Sequence, residues 1–278
     1  MRNEYSAIAA DFYINQRLNL KMDLSMRRDT VLSLFDRVRK DQPQMDRFKR
    51  YTDELALESR PEGVESTGAT QQWVAVRKTS VRSGSVNPQS TEHGCRLHKL
   101  VLESAPYFLD ISPLDIDHLE VLYGFDLMAQ GNHDGIVFNA LYGGSPLAAM
   151  IDGMDAKSKH EHRIVDCQPL IGVTLSDDGE VQAHFEIKTR SPGGAQRGGR
   201  SGGPGGSGGG SGGASSGGDG REEPISVYLI VRKYGPFTDI GELGTVFSDL
   251  TTRGEALLDS VVLPKLLAPI REAIVTGG

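Results

Sequence analysis

Cysteine is nearly absent from this sequence. The 278 residues include two, Cys95 and Cys167. Two cysteines cannot build a disulfide framework and fit a reducing compartment, so a cytoplasmic protein is expected. No uninterrupted apolar stretch approaches the roughly 20 residues a membrane-spanning helix needs. Residues 1–10 hold no apolar core of the secretory kind, so no signal peptide and no membrane partner are expected. Positive charge is missing from a long stretch: residues 100–156 contain no Lys or Arg but nine acids. The net charge of −7 argues against a protein that coats nucleic acid. Catalytic signatures are lacking too. Outside the Gly-rich stretch 192–220 no Gly-x-Ser-x-Gly elbow occurs, and no Walker or Rossmann glycine pattern follows a strand.

Glycine, by contrast, is concentrated. Residues 192–220 hold 16 of the 34 glycines and almost no apolar side chains. Such a segment buries too little surface to offset its chain entropy, so it is expected to be a disordered loop. Both flanks, 180–190 and 223–233, alternate like strands. The stretch therefore reads as an expanded loop between two late strands of one globule. Arg197-Gly198-Gly199-Arg200 has the form of an RGG segment, which makes an RNA-associated protein one alternative.

Elsewhere the periodicity is informative. Residues 16–24 alternate, with Leu18, Leu20, Met22 and Leu24 on one face, as a half-buried strand does. Val31, Leu34, Phe35 and Val38 recur at helical spacing. Met45, Phe48 and Tyr51 extend that spacing past Pro43 and predict a further helical turn or two. A strand follows at 72–81, and Ser83-Gly84-Ser85 reads as a turn. Asn87-Pro88 predicts a helix start, with the helix running over 88–104 and stopped by Pro106. A strand is expected at 118–127, and a short helix from Asn132 or Asp134 through Leu141. A loose segment then leads to a strand at about 163–175. Asp177-Asp178-Gly179 is a hairpin signal before a return strand at 181–187. A strand begins at Ile225, and the end, 246–275, is helical with a kink at Pro264 and Pro269. Together these imply an α+β fold with a mostly antiparallel sheet and helices packed on it. The expected organisation is an N-terminal segment at 1–15, a ferredoxin-like (split βαβ) unit at 16–130 and a second α+β unit at 131–278.

Gly131-Asn132-His133-Asp134 carries the sharpest chemical signal. With His160-Glu161-His162, it resembles the Gly-Asn-His-Asp/Glu block and the late His-x-His pair of calcineurin-like metallophosphoesterases. The resemblance implies a metal-dependent hydrolase in which Asn132, His133 and Asp134 form the catalytic block. Asp117, Asp126, Asn132, His160 and His162 would then hold a divalent metal. The family's opening Asp-x-His is absent. The same four residues, 131–134, also make a helix start, with Asn132 as cap and Asp134 favoured by the helix dipole. Cys95-x-x-His98 would place two ligand types on one helix face, but no second pair completes a zinc site.

Charge layout supplies the remaining candidates. Residues 27–50 carry eight basic residues against four acidic ones. Arg37, Arg39, Arg47 and Arg50, with Arg77 and Arg82 further on, form a candidate surface for an anion or an acidic partner. No complete catalytic set emerges and no cofactor is implied outside the phosphoesterase resemblance. The reading that remains is a cytoplasmic α+β protein acting through protein–protein interaction or self-association.

Overall fold

The computed structural model describes residues 4–62, 68–155, 162–189 and 224–276. Nine strands form one sheet in the order β2-β3-β4-β5-β1-β6-β9-β8-β7. They are β1 (Asp11–Leu20), β2 (Arg47–Arg50), β3 (Glu54–Glu58), β4 (Gln71–Arg77), β5 (Ser80–Val86), β6 (Ile116–Leu127), β7 (Leu170–Thr174), β8 (Val181–Lys188) and β9 (Ile225–Tyr234). Every ladder is antiparallel. The fold is α+β, as the sequence implies. The segment 190–223, which includes the Gly-rich stretch with Arg197 and Arg200, joins the adjacent strands β8 and β9 and lies outside the described residues.

The order of elements repeats. β1 sits at the centre, α1 (Arg28–Asp41) carries the chain outward, and a meander β2 to β5 returns it to the side of β1. After α2 (Thr91–Leu109), β6 starts at the centre again. Helices α3 (His133–Tyr142) and α4 (Pro146–Asp155) carry it outward on the other side, and β7 to β9 return it to β6. β5 and β6 both pair with β1, so α2 crosses over that strand. The half containing β1 has five strands, with three lying between β1 and β2.

One face of the sheet is apolar. Phe12, Ile14 and Leu18 of β1, Val121, Tyr123 and Phe125 of β6, and Val227, Leu229 and Val231 of β9 are all fully buried. Helices α2 and α5 (Leu243–Leu257) cover them. The Tyr123 hydroxyl donates to the Thr251 carbonyl, and Ser85 donates to the Gly94 carbonyl. α1 packs on α2 through the predicted stripe Val31, Leu34, Phe35 and Val38. Past α5 the helix widens into a π-helical stretch, Leu258–Leu267, that absorbs Pro264, and continues as α6 (Ala268–Thr276). The proline removes one donor, and the wider turn re-routes the carbonyl it would have met.

Three expectations are corrected. The region of Met45, Phe48 and Tyr51 is the edge hairpin of β2 and β3, not helix. Its i, i+3 spacing mimics a helix, but Arg47, Phe48, Lys49 and Arg50 alternate across a strand. Ser83-Gly84-Ser85 is no turn but the middle of β5. The α2 helix starts at Thr91 with Ser90 as cap and runs through Pro106 to Leu109.

Gly84 explains its own misreading. It stands opposite Trp73, whose ring lies over it and fills the space a side chain would take. The pattern recurs at Gly124, opposite Tyr13, and at Gly172, opposite His184. A ring laid over a cross-strand glycine restores the packing the glycine lacks. Tyr13 cannot easily move, because its hydroxyl is bonded to Asp126 and its ring packs 6.3 Å from that of Tyr228. Replacing Gly124 by Ala should therefore destabilise the fold by about 1–3 kcal/mol in urea titrations. Adding Tyr13→Ala should relieve part of that strain, so the two losses should be less than additive.

Candidate functional site

The residues of the metallophosphoesterase-like block are held by the fold itself. Asn132 caps α3: its side chain accepts from the Gly135 amide at 3.2 Å and donates to the Ile164 carbonyl at 2.8 Å. His133 is 1% exposed, with Nε2 2.9 Å from the Ala129 carbonyl. A carbonyl can only accept, so Nε2 carries the proton. Asp134 is buried, accepting from the Cys167 amide at 2.9 Å and from the Thr189 hydroxyl. It ties the segment before β7 to the end of β8. Asp117 contacts His118 at 2.8 Å, and Asp126 accepts from Ser226 at 2.6 Å. His162 is exposed, and His160 lies outside the described residues. Among the described residues no three His, Cys, Asp or Glu side chains group so as to hold a metal ion.

Cys95 and His98 point into the core. Burial, with Glu255 nearby, pushes the Cys95 thiol up to about 12. His98 accepts or donates at Nδ1 to Ser83 at 2.7 Å and packs edge-on against Phe247. Its complete burial pushes its pKa down to about 3, so it stays neutral in the folded protein. Both cysteines are unpaired and buried.

The face of the sheet opposite the helices is polar, and its charges are matched across strands. Arg82, Arg17, Glu120 and Arg232 stand side by side on β5, β1, β6 and β9. Glu120 takes Arg232 at 2.8 Å, with His118 and Arg17 beyond at 3.6 and 4.0 Å. Burial acts to raise the Glu120 carboxyl, but the neighbouring His118 imidazole and the Arg232 and Arg17 charges outweigh it and lower its pKa. Arg77 and Arg82 both engage Glu54, and Arg82 lies 5.7 Å from the Trp73 ring. Both are candidates for the anion or partner surface, and in the structure both engage Glu54. Arg37 and Arg39 are exposed on α1, whereas Arg47 and Arg50 lie on the edge strand β2.

The two ends of the sheet differ. Edge strand β2 reads Arg-Phe-Lys-Arg, four residues with three cations. Short, charged edges resist pairing with another chain. Edge strand β7 reads Leu-Ile-Gly-Val-Thr with no charge, and all five residues are exposed. Leu170, Ile171 and Val173 are 63%, 59% and 40% exposed. Ile187 N donates to the Pro169 carbonyl and Leu175 N donates to the Val181 carbonyl, both on the β8 side. By the alternation of an antiparallel ladder, the amides and carbonyls of Leu170, Gly172 and Thr174 then point off the sheet. Among the described residues no strand pairs with them. Helix α4 adds Leu147, Met150 and Met154, exposed at positions that share one face. Sequence reasoning found β7 as part of a longer strand at 163–175 but not its exposure, since exposure depends on what packs beside it.

No helix among the described residues is long and apolar enough to cross a membrane. Neither a scan against protein-family models nor a search of curated proteins finds a match to this chain.

The burial of His98 has a consequence for acid stability. Its folded pKa lies below its unfolded value, so its contribution is complete above about pH 6.5 and is lost as pH falls towards 3. Between pH 6.5 and pH 5 the wild type should lose about 1.5 kcal/mol more than a His98→Gln variant, which has no group to protonate on unfolding. Urea denaturation at several pH values gives the two slopes directly.

Proposed function

We propose that the protein acts through association, and that its principal contact is edge-to-edge pairing of β7 with β7 of a second copy. The uncharged, fully exposed edge of β7 carries this reading. Its sequence suits a two-fold axis through Gly172: Ile171 then faces Val173 of the other copy, and Leu170 faces Thr174. Such a contact is isologous, using the same patch twice. It would join two nine-stranded sheets through backbone hydrogen bonds, the mode of β-augmentation. The exposed stripe of α4 is a second apolar surface for the same partner. Both cysteines remain free, which suits a reducing compartment, and we take the cytoplasm as the site of action.

A charge on the edge tests this. Ile171→Lys with Val173→Lys should convert a dimer to a monomer in sedimentation velocity across the micromolar range. Both positions are exposed, so the fold should keep its stability within about 0.5 kcal/mol. A wild type that stays monomeric throughout that range, or a double variant that still dimerises, would overturn the proposal.

A further inference from the structure

A cavity of about 530 Å³ opens on the helix side of the charged edge, far from β7 in the sheet order. Three connections meet there: the start of α1, the β2–β3 turn and the β4–β5 turn. The size is that of a small-molecule site. Met26, Leu32, Phe48 and Leu55 supply an apolar lining. Arg28, Arg50 and Lys78 supply three cations, all exposed. Among the described residues none of the three is in an ion pair. Two acids also line the cavity, Asp53 and Glu54. Glu54 is already neutralised by Arg77 and Arg82, so positive charge is in excess.

The aromatic wall is held before any ligand arrives. Phe48 is 49% exposed, yet its ring packs edge-on against Phe35 of α1 at 6.0 Å. At the β2–β3 turn, Tyr51 turns its ring to the opposite face, where its hydroxyl donates to Glu58 at 3.0 Å and Glu58 is fixed by Lys49 at 2.6 Å, which anchors the turn itself. An exposed ring that is nonetheless fixed presents apolar surface with little ordering left to be done on binding. An apolar lining with three unmatched cations selects one class of compound. We infer that this cavity binds a small organic anion: an apolar or aromatic body in the lining and a carboxylate, sulfonate or phosphate held by Arg28, Arg50 and Lys78. This site is independent of β7 pairing.

The test uses 8-anilinonaphthalene-1-sulfonate, a fluorescent anion with an aromatic body, and its uncharged analogue N-phenyl-1-naphthylamine. The full-length protein should bind the sulfonate saturably at one site. Arg50→Glu with Lys78→Glu should weaken it at least about tenfold, and Leu32→Trp, which fills the cavity, should do the same. Ile171→Lys with Val173→Lys should leave binding unchanged, which separates this cavity from the exposed apolar edge. Competition by dodecanoate or by adenosine monophosphate then distinguishes an acyl from a nucleotide body. Absence of saturable binding, equal affinity for the uncharged analogue, or indifference to the charge reversals would overturn the inference. Unchanged circular dichroism in each variant ensures that a loss reflects the cavity and not the fold.

Discussion

The pairing of β1 with β6 is the constraint on which the rest depends. Ten residues of β1 face β6, with a single irregularity at Asn19 and Leu20. Each partner is also the inner boundary of a meander, β5 beside β1 and β9 beside β6. Shifting this register by one residue would turn Phe12, Ile14 and Leu18 to the polar face and Arg17 into the core. The apolar side chains and the Arg17–Glu120–Arg232 row therefore specify the same register from opposite sides of one ladder. Removing one charge from that row would leave a partly buried partner uncompensated, whereas the ion pairs on the helix surfaces contribute little.

Strands that are covered on one face and polar on the other were legible. Alternation located β1, β6, β8 and the start of β9, and the helical stripe of α1 is buried at all four predicted positions. The hairpin signal at 177–179 was also readable, with Gly179 at φ 74° in the turn before β8. What escaped detection depends on neighbours distant in sequence. Gly84 reads as a turn until Trp73 is placed over it. The ferredoxin-like expectation did not anticipate the β2–β3 hairpin, because four residues with three cations carry too short a pattern. Asn132 was legible as a cap and as a phosphoesterase-like residue. The fold uses it as a cap, with His133 and Asp134 bonded to backbone and hydroxyl groups.

The same distinction governs function. Residues 27–50 are rich in cations, and residues 100–156 hold none. In the folded chain Lys49 pairs with Glu58, Arg39 with Asp36, and Glu120 with arginines of β1 and β9. Pairing thus cancels part of that contrast, while Arg28 and Arg50 keep their charge exposed at the cavity. The bare edge of β7 and the cavity at three turns are both products of assembly. Neither has a local signature, because each is defined by what fails to cover it.

Trp73 is the chain's one tryptophan, and its place over Gly84 makes it an optical reporter of a single seam. Its emission senses the β4–β5 pairing and the Arg82 guanidinium beside the ring, while the β7–β9 meander contributes no indole at all. Far-ultraviolet circular dichroism averages over both meanders. If the two sides of the β1–β6 ladder come apart at different temperatures, the fluorescence and dichroism transitions will separate. If they coincide, that central ladder couples the two sides into one cooperative unit.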